Sequence, residues 1–367
     1  MSLSEVFIGL DVGGANVKAV KLRVRSGSIK IEDIARVYNP LWISGKESLE
    51  RVLEELKSSF LQTSKSYVVS TCMTAELSDV FEDKQAGVYY VVNTVEKVFQ
   101  DALHKFYVST DVMLIDAKTA IQNYLSVAAA NWAASAWLLE KIAEERGLRN
   151  IVFVDIGSTT TTIIPVVNGK TIVRGRTDPE KLVFGELVYT GALRTNVCAI
   201  VDRVPYKGLW ARVSSERFAL SGDVHLALGF IKSEDYTTET ADNRGKSLGE
   251  AIARLSRVPC ADSKMLTMQE VVEIARYIYE AQVFKVFEAL IQIRSWLASI
   301  GADLDSFVIM VAGVGKRLAL EASERAGFKQ FVDVDDVIGE KISPVLPAYA
   351  AALMALNRVA VSEVRSS

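Results

Sequence analysis

The chain has 367 residues, half of them hydrophobic and 24% charged, with a formal net charge of −3. That length suits two cores of ordinary size, and the charge balance leaves no basic footprint for nucleic acid. Cys72, Cys198 and Cys260 are an odd, widely spaced set with no C-x-x-C pair, and His104 and His225 are the only histidines. This usage speaks against a disulfide framework and a zinc or His-ligated metal centre, and it fits a reducing compartment. The opening residues 1–5 lack the basic-then-apolar layout of a signal peptide, so a cytoplasmic location is expected.

The first element, residues 6–18 (VFIGLDVGGANVK), is an apolar run that ends in Asp11 and turns at Gly13 and Gly14 into a second run. A continuous rather than alternating apolar run reads as a buried central strand. The glycines permit a sharp turn and bring backbone N–H groups close to an anion. An Asp at the strand end suits a hard cation beside phosphate oxygens, and Asn16 and Lys18 offer further donors. An ordinary hairpin whose glycines only make the turn has the same signature. Strands over 19–24 and 29–38 follow, joined by a turn at Ser26, Gly27 and Ser28. Residues 48–60 set Leu49, Val52, Leu53 and Leu56 on one helical face.

Residues 67–71 form the next buried strand, which opens into CMTAELSD and puts Thr74, Glu76 and Asp79 where α/β sheets meet their ligands. A helix cap by Thr74 accounts for the same residues without chemistry. A helix over 87–104 and a short strand over 112–115 come next. The uncharged stretch 119–139 is long enough for a bilayer. Gln122, Asn123, Ser126, Asn131 and Ser135 interrupt it, so a packed interdomain helix is expected, running to Glu145 and closing at Gly147.

Residues 151–163 (IVFVDIGSTTTTI) repeat the grammar of the first element. Asp155 takes the place of Asp11, Gly157 and Ser158 make the turn, and Thr159 and Thr160 add donors. Two copies at domain spacing point to two related halves facing each other across a cleft, each with a phosphate loop. Asn168 and Gly169 signal a type I′ turn into a strand over 170–174. Residues 178–262 are irregular and rich in polar clusters, expected as an insertion that lines the cleft. A long amphipathic helix over 268–300 precedes a strand over 306–311, which runs into Gly313 and Gly315. That spacing is neither a P-loop nor a dinucleotide fingerprint, yet a strand–Gly-x-Gly–helix junction suits an anion. Pro344 and Pro347 precede a helix over 348–356. The expected division is 1–148 for the first half, 149–342 for the second with its insertion 178–262, and 343–367 as a C-terminal helix packing on one half.

Asp11, Gly13, Gly14, Asn16 and Lys18, the second loop from Asp155 to Thr160, and Gly313 with Gly315 resemble the phosphate-1, phosphate-2 and adenosine motifs of the actin, Hsp70 and sugar-kinase superfamily. With Thr74, Glu76, Asn131, Trp132, Ser214 and Glu216 added, the chain resembles the hydantoinase A/oxoprolinase family, in an archaeal branch linked to methanofuran biosynthesis. The resemblance implies an α/β fold of two ribonuclease H-like (actin-like ATPase) domains around a cleft. It implies a transferase that condenses an aminomethylfuran diphosphate with γ-glutamyltyramine, forms an aryl ether and releases pyrophosphate. Asp11, Lys18, Glu76 and Asp155 are then the catalytic candidates, with Glu76 or Asp155 assisting deprotonation of the phenol. Gly13, Gly14, Asn16, Gly157, Ser158, Thr159, Thr160, Gly313 and Gly315 would hold diphosphate or nucleotide. Thr74, Asn131, Trp132, Arg194 and Glu216 would contact substrate, and Asp11 and Asp155 would bind Mg2+.

The alternative is an ATP-dependent hydantoinase/oxoprolinase-type hydrolase or a small-molecule kinase, the case in which ATP is a cofactor. Val17 stands where the branch usually has Thr, and Thr162 where the second phosphate loop usually has Asp. The expected partner is a small phosphorylated substrate, with no nucleic acid and no membrane, in a chain able to form a homo-oligomer.

Overall fold

The computed structural model describes residues 6–25, 27–61 and 66–366, with side chains to residue 361. Ser26 of the expected turn and the opening residues 1–5 lie outside them. The chain divides into two units: Met1–Gly147 with Arg176–Asp178 and Val345–Ser367, and Leu148–Gly175 with Pro179–Pro344.

In the first unit β1 (Val6–Val12), β2 (Asn16–Arg25) and β3 (Ser28–Tyr38) form an antiparallel meander. β4 (Tyr67–Met73) and β5 (His104–Ser109) add in parallel beside β1, and β6 (Met113–Ile115) closes that edge antiparallel, giving the order β3-β2-β1-β4-β5-β6. Every residue of β1 and β4 is buried, which is why both appear in the sequence as unbroken apolar runs. Val6, Ile8, Leu10 and Val12 share a core with α2 (Ser48–Phe60), through Leu49, Val52, Leu53 and Leu56, and with α3 (Lys84–Val98). A short α1 (Leu41–Ser44) leads into that layer. The C-terminal helix α12 (Leu346–Ser366) packs on β1, β4 and β2. It lies so close that a Cβ on Gly9 would overlap the Ala348 carbonyl. Among the described residues, 343–361 form the one helical stretch long and apolar enough to cross a membrane, and half of it is buried in the protein.

The second unit repeats the plan. β7 (Ile151–Ile156) and β8 (Thr161–Val167) form an antiparallel hairpin, and β9 (Lys170–Thr171) and β10 (Leu187–Val188), separated in the chain by α6 (Asp178–Phe184), both pair with β8. β13 (Val308–Ala312) and β14 (Gln330–Asp333), the latter running into α11 (Val334–Ile338), add in parallel on the far side, giving β10-β8-β7-β13-β14. Apart from the edge strand β6 this repeats the order of the first sheet, so each unit carries the ribonuclease H-like topology of the actin-like ATPases. Val152, Val154 and Ile156 pack with α9 (Met268–Ser299) and α10 (Lys316–Arg325) in one core. Between β10 and α9 lie the hairpin β11 (Arg203–Tyr206) and β12 (Leu209–Arg212), α7 (Ser221–Ala227) and α8 (Leu248–Ser256). Arg254 on α8, fully buried, ties α8 to α7 through Asp223 at 2.8 Å and to the loop between them through Asp242 at 3.1 Å. An enclosed pair of this kind fixes geometry more than it adds stability.

Several boundaries differ from expectation for physical reasons. The helix expected over 87–104 is α3, which begins at Lys84 because the Asp83 carboxylate accepts the Ala86 N–H at 2.8 Å. It ends at Val98, and His104 opens β5 instead. The expected strand over 112–115 starts at Met113, since Val112 takes a left-handed φ of 59° in the turn. The stretch 119–139 is not one helix. It breaks into α4 (Ala117–Gln122), a single 3-10 turn and α5 (Asn131–Arg146), because Thr110 N–H captures the Ser126 carbonyl at 2.7 Å and Ala129 turns left-handed. The type I′ turn at Asn168 and Gly169 forms, both with positive φ, but the strand after it spans only two residues. The strand expected over 306–311 begins at Val308, after a 3-10 turn capped by Asp303. The C-terminal helix is much longer than 348–356.

Candidate active site

Asp11 ends the buried strand β1 and is itself only 2% exposed. In register it faces Lys18 on β2 and Cys72 on β4. Lys18 Nζ donates to Asp11 Oδ2 at 2.9 Å, while Oδ1 is buried with no hydrogen-bond partner. Burial first, and the Asp11 charge second, push the Cys72 thiol up, so it stays neutral. Past Asp11 the chain makes a tight loop in which Gly13 N–H donates to the Asn16 carbonyl at 3.0 Å. Asn39 and Leu41 donate their backbone N–H groups to the Ala15 and Gly14 carbonyls, at 3.0 and 2.9 Å, so the loop is held from outside.

Thr74 N–H donates to the Val12 carbonyl at 2.9 Å, bringing the end of β4 against this loop. Thr74 stands at the cap position of the following 3-10 turn without a side-chain capping bond, so the purely structural role considered for it is not realised. Glu76, in that turn, is 1% exposed and neither carboxyl oxygen has a hydrogen-bond partner. Burial raises its pKa from 4.5 to about 7, against the opposing pull of nearby backbone amides and Lys84. A buried carboxyl poised at neutrality beside a phosphate-type loop can hold or accept a proton. Asp79, by contrast, is exposed.

The second loop has the same backbone. Asp155 ends its strand opposite Thr162 on β8 and Ala312 on β13, and Gly157 N–H donates to the Thr160 carbonyl at 3.0 Å. A segment after β10 clamps the loop. Ala192 N–H donates to the Gly157 carbonyl, and Leu193 and Arg194 N–H both donate to the Ser158 carbonyl, at 2.9 to 3.0 Å. Arg194 Nη1 donates to Thr159 Oγ1 at 3.2 Å. Beneath the clamp runs a buried polar network. Gln282 Nε2 donates to Thr190 Oγ1 at 2.9 Å and to the Gly191 carbonyl at 2.8 Å. Its Oε1 must therefore accept from His225 Nε2 at 3.0 Å. Burial lowers the His225 pKa to about 4, so the ring is a neutral Nε2–H donor at physiological pH.

Gly313 closes the far side of this loop with φ 83°, and a Cβ there would overlap Asp155 Oδ1 and the Ile156 carbonyl. Gly315 N–H donates to the Ile156 carbonyl at 2.9 Å. Lys316, which follows, is bonded to Asp333 at 2.7 Å and Asp335 at 2.6 Å. Its charge is thus already spent within the second unit.

Asp11, Gly13, Gly14, Asn16, Lys18, Thr74 and Glu76 gather in the first unit, and Asp155, Gly157 to Thr160, Arg194, Gly313 and Gly315 in the second. Asn131 and Trp132 form the first turn of α5, Asn131 half-buried and Trp132 buried. Glu216 is exposed, its N–H bonded to Ser214 Oγ, and no bond joins it to the loop. Its neighbour Arg217 instead reaches Glu239, which also pairs with Arg194. Sequence reasoning missed Arg217, Glu239 and Gln282. It also passed over Asn39, whose buried side-chain Nδ2 has no partner beside the first loop. Gln282 left a signal, as one polar residue in the buried stripe Val271, Ile274, Ile278, Val286. Among the described residues no group of three His, Cys, Asp or Glu side chains forms a ready metal cluster. The unpartnered Asp11 Oδ1 nevertheless suits Mg2+, which takes one or two carboxylates and completes its shell with phosphate and water.

A model of the hydantoinase/oxoprolinase family matches residues 67–358. The chain is 31% identical over 347 residues, 95% of its length and 96% of the relative's, to the (4-{4-[2-(gamma-L-glutamylamino)ethyl]phenoxymethyl}furan-2-yl)methanamine synthase of Methanocaldococcus jannaschii. It is 29% identical over 214 residues, 58% of this chain and 93% of the relative, to a synthase of the same name from Methanococcus vannielii. Among solved structures, nucleotide-free acetone carboxylase shares the fold, with a TM-score of 0.57 at 11% identity over 95% of this chain and 70% of that one. Its two repeated sheets, the Asp–Gly loop at the end of each and this match along most of its length make the chain a member of the hydantoinase/oxoprolinase family.

Proposed function

We propose that the chain is a transferase of methanofuran biosynthesis that joins the phenol oxygen of γ-glutamyltyramine to the methylene carbon of an aminomethylfuran diphosphate. The observation that carries this proposal is the near full-length similarity to a synthase whose named product holds a phenoxymethyl group on a furan. In this reaction the carbon–oxygen bond to the diphosphate breaks with its electron pair leaving on pyrophosphate. The phenol oxygen bonds to the same carbon, and its proton passes to a base. A furanylmethyl carbon ionises readily once the departing charge is stabilised, so oriented N–H donors supply much of the catalysis.

The Gly13 and Gly157 N–H groups close the two loops on themselves, so the backbone amides of Gly14 and Ala15 and of Ser158 and Thr159 are the anion donors. Lys18 places an ammonium beside the first. Glu76, with a pKa of about 7, is the proton acceptor for the phenol. Mg2+, when bound, neutralises diphosphate charge. Asp11 Oδ1 at the first loop and Asp155 at the second are the carboxylates that would hold it, each at its own loop. Free cysteines at Cys72, Cys198 and Cys260 accord with a cytoplasmic enzyme.

The test supplies the full-length protein with the furan diphosphate, γ-glutamyltyramine and Mg2+. Pyrophosphate should appear in step with the ether, and only when both substrates are present. Ether formation that requires ATP, or pyrophosphate release without ether, would sink the proposal in favour of an ATP-dependent hydrolase or kinase.

A further inference from the structure

The second loop is joined to a charged cluster that the transfer chemistry does not use. Arg194 bonds to Thr159 Oγ1 through Nη1, and its Nη2 lies 3.7 Å from Glu239 Oε1. The same oxygen of Glu239 accepts from Arg217 Nη2 at 3.0 Å. The ammonium of Lys246, partly desolvated beside the Tyr236 ring, also feels the Glu239 charge. Two guanidinium groups therefore meet at one carboxylate oxygen, with a third cation near enough to feel its charge. The side chain of Glu239 is 11% exposed and that of Arg217 is 47% exposed, so the row runs from the loop hydroxyl out toward solvent. A surface pair kept only for stability contributes little and has no need of surplus positive charge.

The acceptor in the proposed reaction has two ends. One is the phenol that reacts; the other is the α-amino acid of the γ-glutamyl group, with one carboxylate and one ammonium. Recognition of such a zwitterion needs a planar cation and an anion side by side, set back from the reacting centre. Arg217 offers a guanidinium fork suited to a carboxylate, and Glu239 offers the partner for the ammonium. We propose that Arg217 and Glu239, anchored to the second loop by Arg194, form the recognition site for the α-amino-acid end of the acceptor. This assignment rests on the transferase function and goes beyond it by naming the residues that select γ-glutamyltyramine over tyramine.

Calorimetry tests it without turnover. The full-length protein is titrated with γ-glutamyltyramine and with tyramine, which lacks the zwitterion. The wild type should bind γ-glutamyltyramine more tightly, and the ratio of the two affinities should fall about tenfold in R217A, the loss expected for one charge-assisted pair. R217K, which keeps the charge without the fork, should recover part of the ratio. E239Q should weaken γ-glutamyltyramine more than a glutaryl analogue that lacks the ammonium. A wild type that does not distinguish the two ligands, a ratio unchanged in R217A, or equal losses for both ligands in E239Q would overturn the assignment. Discrimination that is lost in R217A, with no ether formed by the wild type, would instead overturn the reaction and leave the cluster as a γ-glutamyl-amine site.

Discussion

The hairpin that ends β1 and the one that ends β7 share a backbone and differ in the residue across the strand. In each, a glycine N–H bonds to the carbonyl three residues on, at 3.0 Å, and a strand-end carbonyl accepts from the neighbouring parallel strand's exit, Thr74 in one and Gly315 in the other, at 2.9 Å. The first hairpin sets Lys18 against Asp11; the second sets Thr162 against Asp155. Beyond the parallel strand, one unit presents the buried Glu76 and the other a Gly-x-Gly turn into α10. The duplicated backbone supplies anion donors twice, whereas the lysine ammonium and the proton acceptor are assigned to the first copy alone.

Erasing that asymmetry should have the largest effect. Lys18→Thr makes the first hairpin like the second and leaves Asp11 as a buried carboxylate without its cation. Turnover should fall about 10³-fold, in the range for removing one donor aimed at developing negative charge. Stability should fall by on the order of 1–3 kcal/mol, toward the lower end because Lys18 is partly exposed. Rates of ether formation beside urea melts separate the two effects. Turnover within a few-fold of the wild type would show that the charge difference between the loops has no part in catalysis.

Glu76 supplies the next prediction. Its pKa is about 7 in the folded chain, against an ordinary 4.5. Below the lower value both folded and unfolded chains hold the proton; between the two only the folded chain does. The stability conferred by this protonated carboxyl is therefore complete below about pH 4.5 and lost as pH rises through about 7, a change of on the order of 3 kcal/mol. Glu76→Gln should flatten that part of the stability profile, seen as a smaller difference between melts at pH 5 and pH 8. Turnover, which needs the ionised form, should rise through neutral pH in the wild type. In the variant it should lose that rise and fall about 10²-fold. An unchanged pH–rate profile would move the proton acceptor elsewhere.

Both loops were legible in the sequence because each Asp closes a strand buried on both faces, which writes an unbroken apolar run before a turn. Repetition then pointed to two related halves, since the same strand–Asp–turn–strand pattern opens each. Partners brought together from distant segments were not legible. Arg217 and Glu239 lie in a stretch with neither helical nor strand period, and only its folding brings them to Arg194. Gln282 announced itself as a polar residue on an apolar face, yet nothing local to it points to Thr190 or His225. Helix limits failed where one side chain decided them, as Asp83 does for α3.

The smallest effect should come from Lys316, the residue most easily mistaken for a phosphate ligand. It follows a Gly-x-Gly turn at the start of α10, as a nucleotide-loop lysine would. Its ammonium is instead held between Asp333 and Asp335, and the second oxygen of Asp335 accepts the Ile342 and Ser343 N–H groups at 2.9 and 2.8 Å. Lys316→Ala should therefore lower stability by about 1 kcal/mol, since two partly exposed acids lose a shared cation. Affinity for pyrophosphate, measured by calorimetry, should stay within twofold. A tenfold loss would mean that the lysine leaves its acids for the ligand, and that the second loop, like the first, brings an ammonium to the diphosphate.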